Sequence, residues 1–542
     1  MENKKIINKE FVLVLMAILA VTVASFSPSL KNDFTNWDDD THLTKNLTVQ
    51  SLSPANLKTI FTSTVNLTYI PLTILSFAIE YHFFKYQPFI YHFNNLLLHV
   101  AVVALIFYFA LQTGLPLRAA ALAALVFGIH PMHVESVAWV TERKDVLYSF
   151  FYTLTLIYYW RYLQTRRIVF YLSTIVLGLL SILAKPMAVS LPLILLLCDW
   201  LYGRKFGKKM FLEKWPYFLY IIPITWLSHS LVLLNAKVPG HTLLNSILVF
   251  AWTLAFYLKN FLFPFVLIPV YQLPKPISIF NAEYLAALGL VFLIAYGLFR
   301  FKQNRWFYFA CFFYFFSIFP ALRFDDVKEV WNFSVVADRF MYLPSLGVCF
   351  FLGIISDKFL AKFSRHNSWK IISYVSLAVV LMILSCKTFA QTKIWKDSLT
   401  LWTYVIAQSP QAEVAYNNRG LIYKAQGRHD LALRDYTQAI ALNANYPEAY
   451  HNRANVHALE GRYDLAIDDY DKALSCTSYF VDSYRNRGMV YKEMKKYDLA
   501  IEDFNKALQI NPQDALAYDQ RSLAYEAKKN MSRALNNDSK NK

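Results

Sequence analysis

The sequence has little of what usually marks a soluble enzyme. Five cysteines are spread over 542 residues, with Cys198, Cys311, Cys349 and Cys386 in or beside apolar stretches and Cys476 near the C-terminal end. An odd count without a pairing pattern gives no disulfide framework and no CxxC metal site. There is no HExxH motif, so His130 and His133 lack a zinc-protease pattern. No small-x-small cleavage site follows the first apolar run, which is therefore expected to stay as a first helix rather than leave as a leader. The apolar stretches lack charged residues at mid-depth, which argues against a transporter.

What is there is apolar. Hydrophobic residues make up 56% and aromatic residues 17% of the chain, with mean hydropathy +0.30, and that composition puts most of the chain in a membrane. The net charge of +17 is parcelled into short basic clusters between apolar runs, an orientation signal rather than a nucleic-acid surface, and no nucleic-acid partner is expected. Runs near 11–29, 89–111, 119–133, 146–163, 168–184, 187–202, 216–234, 282–299, 306–321, 340–356 and 371–390 predict about eleven spans. The clusters Lys4, Lys5 and Lys9; Arg161, Arg166 and Arg167; Arg204, Lys205, Lys208, Lys209 and Lys214; Arg300, Lys302 and Arg305; and Lys358, Lys362, Arg365 and Lys370 then share one side, which the positive-inside rule makes cytoplasmic. This holds only if residues 243–270 and 69–84 lie in the outer interface as amphipathic or re-entrant pieces.

From about Glu413 the apolar runs stop and a repeat begins. Tyr416, Tyr450, Tyr484 and Tyr518 recur every 34 residues, as do Arg419, Arg453, Arg487 and Arg521. Small residues follow in register, at Gly420, Ala454 and Gly488, at Ala432, Ala466 and Ala500, and at Ala439, Ala473 and Ala507. They let two antiparallel helices pack closely, and the period is the tetratricopeptide signature. The spacing predicts three full repeats over 413–446, 447–480 and 481–514, a truncated fourth from Ala515, and a capping helix over Lys393 to Gln408. The membrane part is expected over 1–392 and the repeat domain over 393–542. Such a solenoid binds extended peptides or another protein on its concave helices, where Asn417, Lys424, His451, Asn455, Arg485 and Lys492 are the candidates.

Four pieces fall on the side opposite the basic clusters. The first is Asn36-Trp37-Asp38-Asp39-Asp40; adjacent carboxylates are tolerated when solvated, when they hold a cation, or when one is kept for acid/base work. The second runs from His130-Pro131-Met132-His133 through Glu135 to Glu142-Arg143-Lys144-Asp145, and the third is Ala184-Lys185-Pro186. The fourth, after Asp325, Asp326 and Lys328, is Ala337-Asp338-Arg339-Phe340-Met341-Tyr342, where an Arg and a Tyr at the mouth of a span suit a lipid-carried phosphate. Lys144, Lys185 and Arg339 could offset charge on a departing phosphate. Sequons at Asn46-Leu47-Thr48, Asn66-Leu67-Thr68 and Asn332-Phe333-Ser334 lie on this side as well.

Taken together, these four pieces, with Cys198-Asp199-Trp200 and the repeats, give a chain that resembles the transmembrane and tetratricopeptide-repeat proteins of the GT-C glycosyltransferase superfamily, in a bacterial form. The resemblance implies an all-α protein: a GT-C-like bundle followed by the α-solenoid, in a bacterial inner membrane, with the N-terminus cytoplasmic and the repeats periplasmic. It implies inverting transfer of a sugar from a polyprenyl-phosphate carrier to a protein or glycan, as in O-mannosyltransferases. In that family's pattern Asp38 and Asp39 match the acidic pair that supplies the general base, Glu135 the second-loop acid, and Arg339 the basic position near the carrier phosphate; Lys144, Lys185 and Tyr342 are candidates for the same phosphate by their own chemistry. Asp40 departs from the pattern, so which aspartate is the base stays open. No metal ligand set is implied, and a divalent cation stays open. The alternative is a membrane-anchored repeat scaffold without catalysis.

Overall fold

The computed structural model describes residues 8–233, 242–322, 336–363 and 367–540. Asp325, Asp326, Lys328 and the sequon at Asn332 lie outside the described residues, as do Lys4, Lys5 and Arg365. The described residues form helices joined by short 3₁₀ turns, with no strand among them beyond a single bridge between Val65 and Thr68. The chain divides into two compact units, Met1–Leu401 and Trp402–Lys542. The boundary expected at 392/393 falls inside the helix Asn367–Ile394, and the expected capping helix starts later, as Ser398–Gln408.

Among the described residues of the first unit, five helices are long and apolar enough to cross a membrane: Lys9–Lys31, Pro88–Gln112, Leu243–Leu262, Ala282–Arg300 and Ser368–Ile394. A sixth results if Leu117–Ile129 and Pro131–Ala138, bent by 49°, form one span. The chain is thus a multi-pass membrane protein, but the expected eleven or so spans are not supported. The reason is length and polarity. Leu117–Ile129 has 13 residues, Arg305–Ile318 has 14 and Ile168–Ala184 has 17, against about 20 for a straight crossing. Arg143–Thr165 has 23 residues but opens on Arg143, Lys144 and Asp145 and carries Arg161. Leu243–Leu262, expected in the interface, is one of the five.

The loop after the first helix is itself a small folded body. Leu43, Val49, Ile60, Ile70, Ile74, Phe77 and Ala78 bury against Tyr91 and Val140. That core fixes the acidic turn, which precedes it directly, against the start of the second loop. Helix Pro71–Phe84, expected in the interface, is part of it.

The second unit consists of helix pairs, Glu413–Ala425 with His429–Leu442, Pro447–Leu459 with Tyr463–Cys476, and Val481–Glu493 with Tyr497–Ile510, followed by the single helix Ala515–Lys540. The recurring Arg explains itself here. Arg419, Arg453 and Arg487 each grip the aspartate of their own second helix with two nitrogens, at 2.8 and 2.8 Å to Asp435, 2.8 and 2.7 Å to Asp469, and 2.8 and 2.6 Å to Asp503. Such planar forks fix orientation as well as distance. The small residues explain themselves too: a Cβ on Gly488 would stand 2.8 Å from the Phe504 ring. Gly488→Val is therefore expected to destabilise the full chain's repeat transition by about 1–3 kcal/mol through overpacking, lowering its unfolding temperature, with partial recovery when Phe504→Leu makes room. Unfolding followed by circular dichroism checks this; an unchanged transition contradicts the packing.

Candidate active site

The three consecutive aspartates do three different things. Asp40 is surface-paired with Lys45 at 2.8 Å. Asp39 is 1% exposed and fully engaged. Its Oδ2 accepts from the backbone N–H (2.8 Å) and hydroxyl (3.1 Å) of Thr35. Its Oδ1 accepts from the backbone N–H (3.0 Å) and hydroxyl (2.5 Å) of Thr141. Asp39 thereby ties the first loop to the second. Burial pushes its carboxyl up to about 6, against the lowering effect of these hydrogen bonds.

Asp38 is half-buried. Its Oδ1 accepts from Asn66 Nδ2 at 3.2 Å, and its backbone carbonyl accepts from the Thr41 hydroxyl and faces His42 Nδ1, both at 3.1 Å. Burial raises its carboxyl above the usual carboxylate range, while Lys144 and Arg339 pull it back. The buried His42 is held near 3, chiefly by desolvation and then by Lys144, so it stays neutral at physiological pH.

The cations acting on Asp38 belong to a cluster centred on Glu142, a residue to which the sequence reading gave no role. Glu142 is fully buried. It has Lys144 at 3.1 Å, Arg339 Nε at 3.3 Å and Lys185 at 3.4 Å. Burial alone would raise its carboxyl, but these three cations hold it well below the usual range. Glu135 pairs with the guanidinium of Arg339 at 2.5 Å and accepts from the Arg339 backbone N–H at 3.0 Å. Asp145 meets Lys185 at 2.5 Å and the Ser136 hydroxyl at 3.1 Å; burial pushes it up to about 7. Aromatic rings back the guanidinium of Arg339: Trp139 lies 5.4 Å and Phe340 5.0 Å from it. Trp139 is itself stacked on Trp395 at 5.4 Å. Such faces hold a guanidinium in place while leaving its edges for an anion.

Of the expected site residues, Asp38, Asp39, Glu135, Lys144, Lys185 and Arg339 therefore converge. Tyr342 does not. Its hydroxyl lies 2.7 Å from His99 Nδ1 and its ring packs on His133 and Phe127, because a residue three positions past Arg339 has turned inward to the core. The histidines of the second loop are likewise spent on structure. His130 Nε2 is 2.8 Å from the Phe261 carbonyl, and His133 bridges the Phe127 carbonyl (2.8 Å) and the Ser345 hydroxyl (3.0 Å). Among the described residues no group of three or more His, Cys, Asp or Glu is placed to hold a metal ion. Arg143 points away from the cluster, into a buried pair with Glu80 at 2.6 Å. The signal for Glu142 and Asp145 was present in the sequence. Four successive charges abutting an apolar helix are too costly to leave unpaired.

On the repeats, the candidate partner residues are mostly engaged within the solenoid. Asn417 accepts from Asn452 at 2.9 Å, and Asn455 from Tyr470 at 2.6 Å and Asn486 at 2.8 Å. His451 meets the Ser483 hydroxyl at 2.8 Å and stacks on Phe480. Arg485 pairs with Asp482 and, at 2.5 Å, with Asp514; Lys492 reaches Gln520 at 2.8 Å. Lys424 stands in the last turn of helix Glu413–Ala425.

Comparison with known proteins agrees with both units. Tetratricopeptide-repeat family models match residues 447–476 and 481–514, and residues 420–461. Protein O-mannosyl-transferase TMTC1 of Homo sapiens is 25% identical over 446 residues, 70% of this chain and 48% of its own length. A protein O-mannosyl-transferase of Caenorhabditis elegans is 24% identical over 463 residues, 79% of this chain and 62% of its own. The chain thus spans less than two thirds of these relatives. A crystal structure of MamA protein is similar over 26% of this chain and 76% of its own, at 25% identity and a TM-score of 0.24. Over most of its length the chain is thus similar to proteins named protein O-mannosyl-transferases.

Glu142→Gln leaves Lys144, Lys185 and Arg339 without their common counter-charge, and is expected to destabilise the membrane unit by about 3–5 kcal/mol. Asp40→Asn, which breaks only the exposed pair with Lys45, is expected to shift stability by less than about 1 kcal/mol. Thermal unfolding in detergent distinguishes the two; equal shifts contradict the central position of Glu142.

Proposed function

We propose that this kinship extends to activity, and that the chain is a membrane glycosyltransferase moving a sugar from a polyprenyl-phosphate carrier to a hydroxyl of a protein or glycan. The observation that carries the reading is a carboxylate held at one oxygen only, Asp38, on whose charge two members of the three-cation cluster at Glu142, Lys144 and Arg339, act. Asp38 takes the proton of the acceptor hydroxyl as that oxygen attacks the anomeric carbon. The bond from that carbon to the carrier's phosphate oxygen breaks, and its electron pair leaves with the phosphate. Arg339, Lys144 and Lys185 meet the added negative charge. A single displacement inverts the anomeric centre and needs no general acid, because a phosphate leaves without protonation. Asp39 and Glu135 are positioning residues: the first joins the two loops, the second orients Arg339.

A GT-C-like fold for residues 1–392 and a bacterial inner membrane fit this reading. The repeats would hold an acceptor polypeptide or a partner.

The test is transfer of labelled mannose from polyprenyl phosphate to a Ser/Thr-rich peptide. Asp38→Asn is expected to lose about 10²–10⁴-fold in rate with its unfolding temperature unchanged, and Asp40→Asn to retain the wild-type rate. The wild-type rate should fall on acidification as Asp38 takes up a proton, with a midpoint above the ordinary aspartate value of about 3.9, in the direction burial shifts it. Equal transfer by the wild type and Asp38→Asn would remove Asp38 as the base; transfer by neither would leave the repeats, with whatever they bind, as the chain's purpose.

A further inference from the structure

The turn that reaches Asp38 from the far side of the first loop is built in an unusual way. Val65 and Thr68 exchange both backbone hydrogen bonds, at 3.0 and 2.9 Å, so only Asn66 and Leu67 make the reversal. Both have positive φ, 46° and 58°, as a two-residue hairpin turn of this hand requires. Asn tolerates that conformation; Leu, branched at Cγ and carrying a Cβ, occupies a place glycine would fill without strain. The turn is held at both ends: Val65 packs on the loop's apolar core, and the Tyr69 hydroxyl donates to the Phe61 carbonyl at 2.9 Å.

What the strained turn presents is one side chain. Asn66 Nδ2 donates to Asp38 Oδ1 at 3.2 Å and to the Thr41 hydroxyl at 2.9 Å. The orientation of the amide follows from its neighbour, since an ionised carboxylate only accepts and the amide oxygen turned toward it would be repelled. The Thr41 hydroxyl in turn donates to the Asp38 carbonyl, so the amide is braced against the backbone of the residue it serves. The Asn66-Leu67-Thr68 sequence reads as a glycan acceptor, yet the nitrogen that would carry a glycan is spent on these two contacts.

We infer that Asn66 is a positioning residue for proton transfer, its amide fixing the rotation of the Asp38 carboxylate by holding Oδ1, so that Oδ2 takes the acceptor's proton. This rests on the reading of Asp38 as the base. The donor also favours the ionised carboxylate, because a hydrogen bond to the charged form stabilises it. Losing it raises the pH at which Asp38 becomes competent. Asn66→Asp keeps the shape and removes the donor while adding a like charge; Asn66→Ala removes the group. Leu67→Gly keeps the turn and relieves its strain.

The experiment measures mannose transfer from polyprenyl-phosphate mannose to a Ser/Thr peptide by the full-length protein, from pH 4 to 9, with unfolding temperatures of all variants. Near neutral pH, kcat is expected to fall about ten- to hundred-fold in Asn66→Asp and Asn66→Ala, the loss of one charge-assisted hydrogen bond, with KM for the donor little changed. The acid limb should move to higher pH in both, further in Asn66→Asp, and stay in place in Leu67→Gly. If the wild type transfers and Asp38→Asn does not, but the limb and kcat of both Asn66 variants match the wild type, the positioning role is overturned while the base stands. If the wild type transfers nothing, the transferase reading falls and takes this inference with it.

Discussion

Mutual neutralisation of charge out of water is the constraint on which the membrane unit's functional end depends. Glu135, Glu142, Asp145 and Lys185 are buried, and Arg339 and Lys144 are largely so. An isolated charge at such depth is far more expensive than any packing gain can offset. Each must therefore sit against an opposite charge, and the three cations meet at Glu142 from three parts of the chain: Lys144 from the first turn of helix Arg143–Thr165, Lys185 from the turn after helix Ile168–Ala184, Arg339 from much later in the sequence. The ion pairs thus determine where those segments can lie. Two of these cations, Lys144 and Arg339, also act on the charge of Asp38, which lies outside the pairing.

The division of labour between Asp38 and Asp39 follows from hydrogen-bond capacity. Four donors from Thr35 and Thr141 occupy both oxygens of Asp39, so it holds two loops together and has little left for a substrate. Asp38 is held at one oxygen, and Lys144 and Arg339 act on its charge. Adjacent residues that look alike in sequence are in this way given different surroundings by distant neighbours, Thr141 lying 102 residues from Asp39 and Arg339 much further from Asp38.

That distance marks what was legible in the sequence. The repeats could be read because their information is local and periodic: Gly420, Gly488 and the alanines recur where helices touch, and the arginines recur where they pair. The convergence of Asp38, Glu135, Lys185 and Arg339 was legible because charges beside apolar runs demand partners. The pairings themselves were not, nor was the central place of Glu142, because no spacing rule links residue 142 to residues 185 and 339. Tyr342 was misread for a similar reason: an amphipathic ring beside an Arg suits a phosphate, but the third residue along the turn points into the core toward His99. The span count failed because apolarity was measured without length. Many of the runs fold as helices of 13 to 17 residues, and Leu243–Leu262, set aside to make the charges alternate, is long enough to cross. Asn417, His451 and Asn455 were assigned to partners on their place in the repeat, whereas the junction between repeats already uses them.

Direct attack by an acceptor held against Asp38, with the phosphate leaving toward Arg339, is the central claim, and stereochemistry tests it most directly. Given a donor with mannose β-linked to polyprenyl phosphate and a Ser/Thr peptide as acceptor, the anomeric configuration of the glycosylated peptide can be read by nuclear magnetic resonance. Single displacement predicts an α-linked product. A β-linked product would require two displacements and a covalent intermediate, and would contradict the roles given to Asp38 and the cation cluster; so would the absence of any product.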